Sequence, residues 1–141
     1  CENREKFMDL LLLADEQEDM VRKYINKGEM FALFDENLVS ICIVIEETKG
    51  NFEIKNIATH KDYQGKGYGK YLINYLFEFY KDKGKTMCVG TGESPLTLPF
   101  YEKLGFKYSH RIKNFFIDNY NHPIYENGIL LKDMVYLKKE F

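Results

Sequence analysis

The apolar positions of this chain change their spacing several times, and each change marks an element. Residues 7–13 carry enough leucine for a short helix. Residues 17–26 suit a second one, with Met20, Val21, Tyr24 and Ile25 on one face and Lys27-Gly28 as a stop. Two β-rich runs follow, 30–34 and 38–46, joined by Asp35-Glu36-Asn37, a hairpin signal. After a turn at 48–51, residues 52–59 form a strand. Within it Ile54, Asn56 and Ala58 alternate with Glu53, Lys55 and Ile57, so both faces are mixed. The strongest helix is 68–81, where Tyr68, Leu72, Leu76 and Phe79 recur at helical spacing and Asp82-Lys83-Gly84 ends it. A short buried strand, 86–91, precedes a helix over 95–104 with Pro95 near its start and Gly105 beyond its end. Strands at 106–112 and 129–137 finish the chain. Between them, 114–128 is long, aromatic and interrupted by Pro123, and it is expected to be a functional loop. The order predicts a mixed α/β (α+β) sheet whose crossover helix opens at residue 68.

Composition narrows the class. The 141 residues fit one domain, 1–141, long enough to bury a real core. Hydrophobic residues make up 45% and charged residues 30%, which argues against disorder. The formal net charge is −2 and the basic residues are dispersed, so no nucleic-acid partner is expected. The leucine run at 10–14 is too short to span a bilayer and has acidic flanks, so neither a membrane partner nor a signal peptide is expected. Cys1, Cys42 and Cys88 fit neither a disulfide framework nor a metal site. Cys42 and Cys88 read as buried residues of a reducing, cytoplasmic compartment. His60, His110 and His122 have no metal spacing, and no serine lies in a Gly-x-Ser-x-Gly elbow.

The chemistry-bearing motif is Gln64-Gly65-Lys66-Gly67-Tyr68-Gly69, between a strand and the best helix. A glycine-rich turn at a helix N-terminus can present several backbone N–H groups to a phosphate, and the helix dipole favours the same charge. The spacing matches neither a Walker loop, since Tyr71 follows Lys70, nor a dinucleotide fingerprint, since residue 70 is not glycine. What fits is Gln-x-x-Gly-x-Gly. With it, Pro99-Phe100-Tyr101-Glu102-Lys103-Leu104-Gly105-Phe106 and Val89-Gly90-Thr91-Gly92 resemble, in order, the signatures of the GCN5-related N-acetyltransferase (GNAT) family, in a small bacterial-type member.

That resemblance implies a mostly antiparallel sheet of about six or seven strands, flanked by about four helices, with a splayed gap between the two central strands. It implies acetyl-coenzyme A as cosubstrate and direct transfer of its acetyl group, in a ternary complex, to a primary amine of a small molecule or protein. Cofactor contacts would come from the main chain of Ile57, Ala58 and Thr59, from Gln64, Gly65, Lys66, Gly67, Tyr68, Gly69 and Lys70, and from Ser94. The family often has an asparagine after the fifth strand; here Gly92-Glu93-Ser94 stands there, and Ser94 can cap the next helix instead. Tyr101 is the expected general acid. Glu53 is the expected base, with Glu93, Asp118, His122 and Glu126 as alternatives. The 114–128 segment would line the acceptor side or a homodimer contact. A non-catalytic acyl-coenzyme A sensor is the alternative function, and a single-strand nucleic-acid binder is disfavoured by the acidic balance.

Overall fold

The computed structural model describes residues 7–13, 15, 18–94, 97–126 and 128–141. Along the chain they form α1 (Met8–Leu11), α2 (Glu18–Arg22), β1 (Glu29–Asp35), β2 (Asn37–Thr48), β3 (Asn51–Thr59), a 3-10 turn (Lys61–Tyr63), α3 (Tyr68–Tyr80), β4 (Thr86–Gly92), α4 (Thr97–Lys103), β5 (Lys107–Ile112), α5 (Phe115–Asn119), β6 (Tyr125–Glu126), β7 (Ile129–Leu130) and β8 (Met134–Glu140). Among the described residues six strands make one sheet in the order β1-β2-β3-β4-β8-β5, while β6 and β7 pair as a separate hairpin. Among these six strands only β3 and β4 pair in parallel. The mixed, mostly antiparallel sheet is therefore as expected, with five α-helices where about four were foreseen.

Local sequence explains the main boundaries. The β1–β2 hairpin closes on Glu36, whose φ is +65°, between the paired Asp35 and Asn37. On α3, Leu72, Ile73, Leu76 and Tyr80 are buried at helical spacing and pack on Phe52, Ile54, Met87 and Val89 of the sheet. Each such side chain contributes roughly 1.5–3 kcal/mol by leaving water. The N–H of Gly84 turns back to the carbonyl of Tyr80 and ends the helix. At the end of α4 Gly105 takes φ +99°, and Phe106 N–H reaches back to the Tyr101 carbonyl at 3.2 Å, a glycine C-cap. Pro95 lies outside the described residues, as does Gln17 at the expected start of α2.

Strand β3 carries the feature that organises both faces. Its pairing with β2 slips where Ile43 faces Asn56 but Val44 faces Ile54, which leaves Lys55 as a one-residue bulge. A bulge re-aims the side chains beyond it. Before it, Phe52 and Ile54 pack with α3; beyond it, Ile57 packs there instead. Ala58 joins the second core against α1 and α2, and Asn56 donates to the carbonyl of Leu11. One strand thus alternates buried and half-buried positions throughout while serving two separate cores.

The 114–128 segment departs from its predicted form as a loop. It contains α5 and β6, and its Phe116 and Ile124 form a third small core with Leu131. Asn127 lies outside the described residues. The strand expected over 129–137 is broken into β7 and β8. The break falls where Asp133 accepts the Asn114 N–H at 3.0 Å and pairs with Arg111 at 3.0 Å, which ties the chain to the end of β5.

Candidate active site

The site begins where β3 and β4 part. Residues 51–54 pair with 86–89, and no pairing continues past Ile54 and Val89. The strand ends beyond them diverge, and a cleft of about 400 Å³ opens between them, lined by residues 54–59 of β3 and 89–92 of β4. The backbone groups that β3 would have offered β4 along this stretch have no strand partner, which leaves a row of donors and acceptors facing the cleft.

At the far end of β3 the glycine turn stays open. Gly65 and Gly67 have φ of +77° and +91°, a region L side chains rarely adopt, and a Cβ on either would meet nothing within 4 Å. No side chain caps the N-terminus of α3 at Gly67. Gln64 serves this arrangement from below: its amide donates to the Thr59 carbonyl at 3.0 Å and clamps the turn to the end of β3. Tyr68 points away and donates to Asp35 at 2.6 Å, while Lys66 sits over the ring of Tyr63. A shallower groove of about 250 Å³, lined by Ile57, Thr59, Gly69, Thr97, Phe100 and Tyr101, lies between the turn and the cleft.

Tyr101 lines both hollows. It is 7% exposed and packs edge-on against Phe100 and Phe106. Its hydroxyl makes no hydrogen bond to any described residue. Burial pushes the phenol well above its ordinary range, and the nearby carboxylate of Glu126 adds to the shift. The proton therefore stays on the oxygen at neutral pH.

A neighbouring hollow of about 460 Å³ continues from the cleft across Ile54, Lys55 and Tyr120. Glu53 lines this hollow rather than the Tyr101 cleft. Burial raises its carboxyl, Lys55 at 3.3 Å opposes that shift, and Glu47 reinforces it. Cys88, opposite Glu53 on β4, is pushed up to about 11 by burial, with the same two carboxylates adding.

The model of the acetyltransferase (GNAT) domain matches residues 26–108, more than half of the chain. The chain belongs to the GNAT family. An N-acetyltransferase of Bacillus subtilis strain 168, YvbK, whose function is uncharacterised, is 36% identical over 139 residues, covering 96% of this chain and 90% of that one. A GNAT acetyltransferase from Elizabethkingia anophelis, solved with acetyl-coenzyme A bound, is 36% identical with a TM-score of 0.89, over 94% of this chain and 89% of that one. A Bacillus subtilis acetyltransferase in complex with coenzyme A is 34% identical with a TM-score of 0.91, over 100% of this chain and 95% of that one. As a GNAT acetyltransferase, the protein transfers an acetyl group from acetyl-coenzyme A to an amine-bearing acceptor.

Against this GNAT frame the expected residues divide. Ile57, Ala58, Thr59, Gln64 and Tyr101 all line the cleft, and Gly69 lines the groove beside it. Gly65, Lys66, Gly67, Tyr68 and Lys70 form the rim of the turn. Ser94 does not reach the cleft: it is 1% exposed, and its carbonyl takes the Leu98 N–H at 3.2 Å in the first turn of α4. Glu93 is held by Arg111 through two contacts of 3.1 and 3.2 Å on the outside. His122 is exposed and bonded to Asn121. Sequence reasoning missed Asp15, Tyr24, Asn56 and Tyr120, which meet in one hydrogen-bonded set beside the cleft. Asn56 donates to Tyr24 at 2.8 Å, and the hydroxyls of Tyr24 and Tyr120 both donate to Asp15. Only Asn56, a lone amide at an inward position of an apolar strand, gave a signal. No helix among the described residues is long and apolar enough to cross a membrane.

Proposed function

We propose that the protein moves the acetyl group directly to a primary amine, with both substrates bound together in the cleft between β3 and β4. The observation that carries this reading is the parting of the two strands after Ile54 and Val89, directly beside an open glycine turn. These features fit the cosubstrate: unpaired main chain for an extended arm, and a turn without obstruction for a diphosphate. Acetyl-coenzyme A would supply the acetyl group as an activated thioester.

The chain's residues do the remainder. Main-chain groups of Ile57, Ala58 and Thr59 hold the arm and polarise the carbonyl, and N–H groups of residues 65–70 hold the phosphates. Tyr101 gives its phenolic proton to the departing sulfur. Its raised pKa suits that task, because the same dry surroundings raise the basicity of a thiolate released there. Glu53, reached through water from the neighbouring hollow, takes the proton that the amine loses as the C–N bond forms and the C–S bond breaks. Direct transfer is favoured over an acetyl-cysteine route, since burial keeps Cys42 and Cys88 as thiols. Calorimetry with acetyl-coenzyme A, followed by thiol release in the presence of primary amines, tests the reading. Micromolar binding with amine-dependent thiol release is expected. The absence of binding would overturn it.

A further inference from the structure

Two buried acceptors in the cleft lack hydrogen-bond partners among the described residues: Oδ1 of Asn56 and Oε2 of Glu126. Asn56 is 4% exposed, and its orientation is fixed. Its Nδ2 donates to the Leu11 carbonyl at 3.0 Å, an atom that can only accept, and to Tyr24 at 2.8 Å. Its oxygen must therefore face elsewhere, and Asn56 lines the cleft. Glu126 reaches the same cleft from the β6–β7 hairpin, close enough to Tyr101 to raise its phenol. A buried acceptor left unmet costs about 1–3 kcal/mol, more for a charged one, so two in one cleft call for a ligand rich in donors.

We propose that Asn56 Oδ1 and Glu126 Oε2 form a seat for the protonated amino group of the acceptor, and that the acceptor is a primary monoamine with an apolar body. The inference rests on the acetyl-transfer reading above and names its substrate class. An ammonium group carries three donors and one positive charge, which answers one amide oxygen and one carboxylate. The seat has room for a single charge. The other carboxylate of this cleft, Asp15, already accepts the hydroxyls of Tyr24 and Tyr120. One part of the wall is apolar, where Phe116, Ile124 and Leu131 form a packed cluster. Such a patch rewards a hydrocarbon or aromatic body, and among the described residues of this cleft the further charges of a polyamine meet no carboxylate beyond Asp15 and Glu126.

The test uses the whole protein with acetyl-coenzyme A, comparing 2-phenylethylamine with spermidine, in the wild type and in Glu126→Gln. Glu126 is half-buried on a two-residue strand, so this near-isosteric change leaves the thermal midpoint unmoved. The wild type should acetylate 2-phenylethylamine in preference to spermidine. Glu126→Gln should raise KM for 2-phenylethylamine roughly tenfold or more, with kcat changed less and acetyl-coenzyme A binding unchanged. Preference for spermidine, an unaltered KM in Glu126→Gln, or no turnover of either amine by protein that binds acetyl-coenzyme A would each overturn the seat. Failure to bind acetyl-coenzyme A would instead strike the transfer reading on which the seat depends.

Discussion

The half of the cleft proposed to hold the cofactor and the half proposed to hold the acceptor are made from different materials. The first is main chain: a strand edge without a neighbour and a turn of glycines with open space around them. The second is side chain: Asp15, Tyr24, Asn56 and Tyr120 in one hydrogen-bonded set, with Glu126 across from them. Backbone groups are the same in every sequence, so the first half can hold a common donor by shape alone. Side chains differ from chain to chain, so under the proposed reading specificity for the acceptor resides in the second.

Tyr101 stands at the meeting of the halves, and its removal should have the largest effect. Tyr101→Phe keeps the ring packing on Phe100 and Phe106 and is expected to lower kcat about 100-fold. Acetyl-coenzyme A affinity, read by calorimetry, should not change. An unchanged kcat would remove Tyr101 from the proton transfer. Next comes a change confined to the acceptor half. Tyr24→Phe deletes the hydroxyl between Asn56 and Asp15 and should cost roughly 1–3 kcal/mol of stability. Chemical denaturation would measure it, and acetyl-coenzyme A binding should survive. A weakened cofactor affinity would show that the halves are not independent.

On the cofactor side, Gly67→Ala forces an L side chain to φ +91° and should cost about 1–2 kcal/mol. The loss should appear as weaker acetyl-coenzyme A binding, with the KM for amine little altered. The smallest effect concerns Glu53. Burial raises its carboxyl in the folded state, so the folded protein holds that proton more tightly than the unfolded chain does. The resulting stability is present below the unfolded value of about 4.3 and is lost as pH rises through the raised folded value. Glu53→Gln should flatten that decline, as seen by comparing melting curves from pH 4 to 7. An identical slope in both proteins would show that Glu53 titrates normally.

The same division explains what could be read from the sequence. The turn at 64–69 and the Tyr101 segment are local in the chain, and glycine has few reasons to recur at such spacing. The helices and most strands were also visible, because their apolar periods are short-range. The acceptor half draws on residues from 15 to 126, and no local pattern joins them. Ser94 lies outside the cleft lining for a related reason: its position beside β4 suggested the cleft, but the tight first turn of α4 buries it. The 114–128 segment concealed α5 because a helix of five residues has too few positions to establish a period.

Lys55 has a consequence of its own. Because it is an extra residue in β3, every side chain after it is displaced by one place relative to those before it. Straightening the ladder with Lys55 kept in register would turn Asn56 and Ala58 toward α3 and send Ile57 to the opposite side, exchanging an amide for a branched hydrocarbon at the cleft wall. A one-residue slip in the ladder therefore decides which of these side chains reaches each face of the sheet.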